Sequence, residues 1–298
     1  MPNIFYRLSL FVLLLAAALG INASAQQWRP VSGNHQGNIS GMALVAYEKQ
    51  ITTILVVHDN KKPEQIRATL FSINRGNVPT YTPLKWTSDE VPVDLEAVTP
   101  VPGITGQYMA LASAGRVYHI KLDWRSNSID TVKAFDLPMV PKGADFEGFE
   151  LQKINGQMLA VWGERGDTQK AATIFWSKFD LDNYKFAEVG WESFRVHYPL
   201  TDVRHISDIK VDTSGGVFIT AASDPGDGGP FSSAAYYAGA FQIDHQRKVA
   251  FNRAKSLTPL FRFEYRKVEA FEFVPGADGG MIFGTDDEDL GASLLLTY

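Results

Sequence analysis

The sequence predicts an all-β fold, a five-bladed β-propeller closed by its own N-terminal strand. Three observations carry that prediction. Apolar residues come in short runs of β-branched and aromatic side chains, broken by Gly, Pro, Asn and Asp, with no long amphipathic helix between them. The runs recur as a repeat, with start pairs at Ser40-Gly41, Glu96-Ala97, Glu147-Gly148, Ser207-Asp208 and Glu269-Ala270, spaced 51 to 62 residues apart. Each repeat holds about four strand-like runs, and a period of that length with four strands is the mark of a propeller blade.

The elements follow in order. Inner-strand starts are succeeded by second strands such as ITTILVVH, QYMALAS, QMLAVWG, GVFITAAS and GMIFGT, and then by third strands such as ATLFSIN, VYHIKLD, ATIFWSKFD, AGAFQID and ASLLLTY. Linkers carrying YTPLKW, TVKAFDLPM, FAEVGWESFRV and KVAFNRA supply outer strands. The last repeat has three runs only, and the segment QQWRPVSGNHQG stands before Ser40 where an outer strand belongs. The N-terminal segment is therefore expected to complete the C-terminal blade, which leaves no open sheet face. Six blades, with one degenerate unit, is the alternative.

Before the repeats, Arg7 precedes an apolar run from Leu8 to Leu19, and Ala23-Ser24-Ala25 follows. A charged start, a run shorter than a bilayer span and a small-residue triplet are the pattern of a secretory signal peptide, residues 1–25. The expected mature chain is one propeller domain, 26–298, exported to the periplasm or the medium, with no membrane span after cleavage. The chain has no cysteine, which excludes disulfides, thiolate metal ligands and a cysteine nucleophile. Its formal net charge is −5, and a mildly acidic chain without clustered Lys and Arg does not suit nucleic acid.

Chemistry concentrates at the ends of the first two strands of each repeat. In a blade these strands run antiparallel, so the start of the first and the end of the second meet on one face around the channel mouth. The starts supply Asp94, Glu96, Asp145, Glu147, Asp208 and Glu269; the second-strand ends supply Asp59, Glu164, Asp167, Asp224 and Asp286 to Asp289. Carboxylates gathered this way need cations or hydrogen-bond donors, and oxygen-rich sites of this kind suit calcium or magnesium. Glu96, Glu147, Glu269 and Asp286 are the candidate metal ligands. Asp59, Asp94, Asp145, Glu164, Arg116 and Arg165 are candidate ligand contacts, the arginines as clamps for an anionic group or as partners of the acids. Against these stands the reading that the acids only tie loops and blades together through backbone amides. Ser40 and Ser207 interrupt the ring of acids. His58, beside Asp59, reads as a hydrogen-bonded turn residue, and Ser113 lacks the glycine a nucleophile elbow needs. The Gly-rich stretch Ser223 to Phe241, with Tyr236 and Tyr237, is either a lid or partner-binding tip at the mouth or partly a third strand.

The starts Asp94-Leu95-Glu96-Ala97 and Asp145-Phe146-Glu147-Gly148, with Val268-Glu269-Ala270-Phe271 and Gly284 to Asp289, resemble those of exported propellers with a phytase-like or esterase-like domain. The resemblance implies a propeller with acids at one channel mouth and, in true phytases, calcium-assisted hydrolysis of phosphate esters. This chain departs from the phytases in lacking a dense Lys/Arg rim for several phosphates. Two functions follow as expectations: a binding propeller that holds a divalent cation, a small polar ligand, a protein or a glycan at its acidic face, or a metal-assisted hydrolase of phosphate or carboxylate esters.

Overall fold

A computed structural model describes residues 26–31, 38–74, 77–276 and 279–297. The expected signal peptide lies outside the described residues. A short strand, β1 (Arg29–Pro30), is followed by a first blade of β2 (Gly41–Glu48), β3 (Ile51–Val57), β4 (Ala68–Asn74) and β5 (Thr80–Trp86). The second blade comprises β6 (Leu95–Pro100), β7 (Gln107–Ala112), β8 (Arg116–Asp123) and β9 (Ser128–Asp136). The third holds β10 (Phe146–Ile154), β11 (Gln157–Glu164) and β12 (Ala172–Asp180), with an outer edge split into β13 (Lys185–Phe186) and β14 (Gly190–Phe194). The fourth is built likewise from β15 (Val203–Val211), β16 (Gly216–Ser223) and β17 (Ser232–Ile243), edged by β18 (Val249–Arg253) and β19 (Pro259–Glu264). The fifth contains β20 (Val268–Val274), β21 (Gly280–Thr285) and β22 (Ser293–Leu296), with a 3-10 turn at Glu288–Leu290.

The ring closes as the sequence predicts. Strand β1 pairs antiparallel with β22, setting Arg29 opposite Leu294 and Pro30 opposite Ser293, so the N-terminal segment is the outer strand of the fifth blade. Among the described residues five blades account for all the sheets, which removes the six-bladed alternative. The outer edges depart from expectation. Where one fourth strand is predicted in the third and fourth blades, two short strands divide the edge, both bonded to the third strand. The first two blades also join at their rims, because β5 and β9 pair in parallel over Lys85-Trp86 and Ser128-Ile129.

The apolar core falls into five clusters, one between each pair of neighbouring blades. Close to the axis the inner strands approach so nearly that the second residue of the start pair is small in every blade but the fourth, where Asp208 stands. A Cβ on Gly41 would stand 2.7 Å from Ala97 Cα, and one on Gly148 2.7 Å from Ile209 Cγ1. The glutamate before it has a different role. In the second, third and fifth blades the ladder slips by one residue at Glu96, Glu147 and Glu269, leaving each as the extra residue of a β-bulge. A bulge re-aims its side chain, and these three turn into the channel. Deeper on the axis, Lys210 of β15 crosses to Met42 O at 2.9 Å and Val98 O at 3.1 Å.

Candidate functional site

The channel holds a cavity of about 310 Å³ whose lining has no apolar side chain. Eight carboxylates face it: Glu96, Glu147 and Glu269 from the bulges, Asp94 and Asp145 two residues before the first two, and Asp59, Asp286 and Glu288 from the ends of second strands. Four cations, Lys61, Arg165, Arg204 and Lys267, and the hydroxyl of Ser113 complete it.

The cations are placed between acids. Arg165 binds Asp145 at 2.7 Å and Glu147 at 3.2 Å. Arg204 reaches Glu269 at 3.1 Å and Glu147 at 3.8 Å, and its other nitrogen pairs with Asp224. Lys267, almost fully buried, lies 3.1 Å from Glu269 and 4.0 Å from Asp286 and pairs with Glu288 as well. Lys61 holds Asp94 at 3.1 Å, and Ser113 Oγ donates to Asp145 at 3.1 Å. The Glu96 carboxyl makes no hydrogen bond or ion pair among the described residues.

Burial, reinforced by this excess of acid, raises affinities for protons. Burial, then the charges of Glu147 and Glu269, pushes Glu96 well above the usual carboxylate range. Burial lifts Glu147 to about 7, partly opposed by Arg204 and reinforced by Glu269. Asp286 is pushed well up by burial and Glu269, and Asp59 rises for the same two causes. Arg204 goes the other way from its burial penalty: desolvation works against its charge, but Glu269, Glu147 and Asp224 outweigh it and hold the guanidinium protonated.

Of the residues singled out from sequence, Asp59, Asp94, Glu96, Asp145, Glu147, Arg165, Glu269 and Asp286 converge on this one cavity. Two do not. Arg116 is drawn outward to Glu90 at 3.3 Å and Asp136 at 3.2 Å, acids of the blade rim, so it clamps nothing in the channel. Glu164 is buried behind the wall and held by Lys170. His58 is buried, with Nε2 2.7 Å from Thr69 Oγ1 and Nδ1 against Asn38 O, and burial lowers its pKa to about 4. Tyr236 and Tyr237 belong to β17, so the Gly-rich loop ends at Phe231; its Asp224 holds Arg204.

Arg204 and Lys267 escape the sequence reading. Lys267 has a signal: it stands two residues before Glu269, as Asp94 and Asp145 stand before Glu96 and Glu147, with the sign reversed. Among the described residues no three acidic or imidazole side chains group as metal ligands do. Arg204 lies between Glu147 and Glu269, and Lys267 between Glu269 and Asp286, where an ion shared by those carboxylates would sit.

The sequence matches no protein-family model, and no curated protein matches it. Solved structures do match. A GH43 endo-arabinanase from Bacillus licheniformis aligns with a TM-score of 0.50 and 12% identity, over 90% of this chain and 96% of its own. An exo-β-1,3-galactanase from Clostridium thermocellum aligns at 0.51 and 10%, over 91% of this chain and 61% of its own. An exo-β-1,3-galactanase from Phanerochaete chrysosporium, solved with β-1,3-galactotriose, aligns at 0.50 and 9%, over 91% and 62%. This chain thus spans less than two thirds of either galactanase. Among the described residues no helix is long and apolar enough to cross a membrane. At such identities the likeness is one of fold, and the fold is a five-bladed β-propeller.

Proposed function

We propose that the protein is a binding propeller whose channel mouth receives a positively charged polar group. One observation carries this reading: eight carboxylates share the cavity with four cations, each of those cations already ion-paired, while Glu96 has no partner. A bound ammonium, guanidinium or divalent cation would offset that excess and let the raised carboxyls ionise. Arg165, engaged by Asp145 and Glu147, is a wall of the pocket and is not free to clamp an anion. Calorimetry at pH 7.5 with arginine ethyl ester, spermidine and calcium chloride tests the reading. At least one should bind and weaken about ten-fold or more in Glu96→Gln, the cost of removing one desolvated charge partner; heat from none would sink it.

Glycoside hydrolysis is a second reading, favoured by the protonation pattern. Glu96, holding its proton by burial, suits a general acid, and Asp145, held by Arg165, suits the carboxylate partner that such chemistry needs. The matched structures are named for action on arabinan and β-1,3-galactan, so these are the first polymers to try. Release of reducing sugar that disappears in Glu96→Gln would establish it. Ester hydrolysis through calcium is tested in the same screen, by turnover of aryl phosphates and acetates that depends on added calcium.

A further inference from the structure

The segments that run to the acid-lined cavity carry exposed apolar side chains. Val93, Met139, Leu200 and Tyr265 lie in the segments that lead into the second, third, fourth and fifth blades, and Leu290 lies in the loop between β21 and β22. All five segments open on the mouth face, because each joins a strand end at the cavity. Val93 adjoins Asp94, Leu200 precedes Arg204 by four residues, Tyr265 precedes Lys267 by two and Leu290 follows Glu288 by two. Leu200 is 81% exposed, Tyr265 75% and Leu290 67%, among the most exposed large apolar side chains of the described residues. A scattered leucine means little; exposed large apolar side chains on all five segments that open on one charged face make a collar suited to docking.

From this we infer that the mouth face docks a protein loop carrying an arginine or lysine at its tip between apolar neighbours. The proposal rests on the cation-binding reading of the mouth and adds its bearer. Charge complementarity selects the tip, since the cavity carries twice as many acids as bases. The collar selects a protein. A free metal ion or small amine would leave the collar in water, and a glycan stacks on aromatic faces, of which these five residues offer only Tyr265. Aliphatic side chains around a buried charge match the apolar surround and charged anchor of a protein interface.

The test is calorimetric titration of the mature chain, pH 7.5, with three cyclic peptides presenting Leu-Arg-Leu, Gly-Arg-Gly and Leu-Glu-Leu. Leu-Arg-Leu is expected to bind about ten-fold or more tightly than Gly-Arg-Gly, as burial of two leucines allows, and Leu-Glu-Leu not to bind. The exposed double substitution Leu200→Ser, Tyr265→Ser should remove most of the ten-fold gap and leave Gly-Arg-Gly unchanged. Equal affinity of the two arginine peptides overturns the docking proposal and leaves the cation-binding mouth standing. Binding of Leu-Glu-Leu as tight as Leu-Arg-Leu, or no binding of either arginine peptide, overturns both. Dimerisation of the chain that the double substitution abolishes also overturns it, since a second copy would then be the occupant.

Discussion

Arg204 reaches from the fourth blade to Glu147 of the third, Glu269 of the fifth and Asp224 of its own loop. One guanidinium thus offsets three carboxylates, two of them buried, and its removal strands them. Arg204→Ala should cost on the order of 3 kcal/mol, which in a domain of this size lowers the melting temperature by roughly 8 °C. The same substitution empties the space between Glu147 and Glu269, so calcium should raise the melting temperature of the variant more than that of the parent; no such difference would show that the bulge glutamates are too far apart to share an ion. Proton affinities give a second residue-scale prediction. Burial, with Glu272 adding to it, lifts Asp208 from 3.8 to about 7 even though Lys210 and the amides of Ile209 and Phe271 pull the other way. Glu147 rises from 4.5 to about 7. A folded state that keeps a proton its unfolded chain has released is most stable below the unfolded pKa, and loses that stability as pH climbs through about 7. His58 works in the opposite sense: lowered by burial from 6.5 to about 4, it adds stability as pH rises between those values and nothing above them. Above pH 6.5 only the carboxyls remain, so the melting temperature should fall from pH 6.5 to 8.5, with a shallower slope in Asp208→Asn. A flat profile would contradict these assignments.

At the scale of the strand, the start motif meets two separate demands, and one substitution separates them. Gly41→Ala places a methyl 2.7 Å from Ala97 Cα, a backbone atom that cannot rotate away. The first two blades would have to part, at about 1–3 kcal/mol, whereas Gly228→Ala, which meets nothing within 4 Å, should change stability by less than about 0.5 kcal/mol. Denaturant melts of the two variants check the contrast. This double demand also explains what was legible. The acid of D-x-E-G or D-x-E-A faces the channel at a bulge and its small neighbour meets the next blade, so both requirements print themselves in every regular repeat, and the bulge acids could be read from the sequence. The fourth blade breaks the motif: its ladder slips over several residues between Arg204 and Asp208, which places Arg204 at the mouth from upstream of any repeat position. Lys267 was hidden by a reversed sign at a regular position. Arg116 misled because its place in the chain fixes the rim but not the direction of its side chain, which Glu90 and Asp136 settle. The split outer edges were equally hidden, since outer strands are half-exposed and carry a weak apolar pattern.

Over the whole molecule the blades meet at one side chain. Lys210, buried and rooted in the fourth blade, donates to Met42 O of the first and Val98 O of the second, and lies 3.7 Å from Glu150 of the third. Glu272 of the fifth adds to the field that keeps it charged, as do Asp208 and Glu150, against a burial penalty. The ammonium therefore draws on all five blades at the axis. The three acids exceed the one cation, and Glu150 and Glu272 answer by rising above the usual carboxylate range, chiefly through burial. Replacing the lysine with a neutral side chain of similar length leaves carboxyls that can stay uncharged only by taking protons. Lys210→Met should therefore destabilise on the order of 3 kcal/mol at pH 8 and distinctly less at pH 5, where protons replace the missing charge. Chemical denaturation of parent and variant at the two pH values measures the difference. An equal loss at both would mean that Lys210 matters for the carbonyl hydrogen bonds it donates to the first two blades, and that the charge on the axis is incidental to holding the ring together.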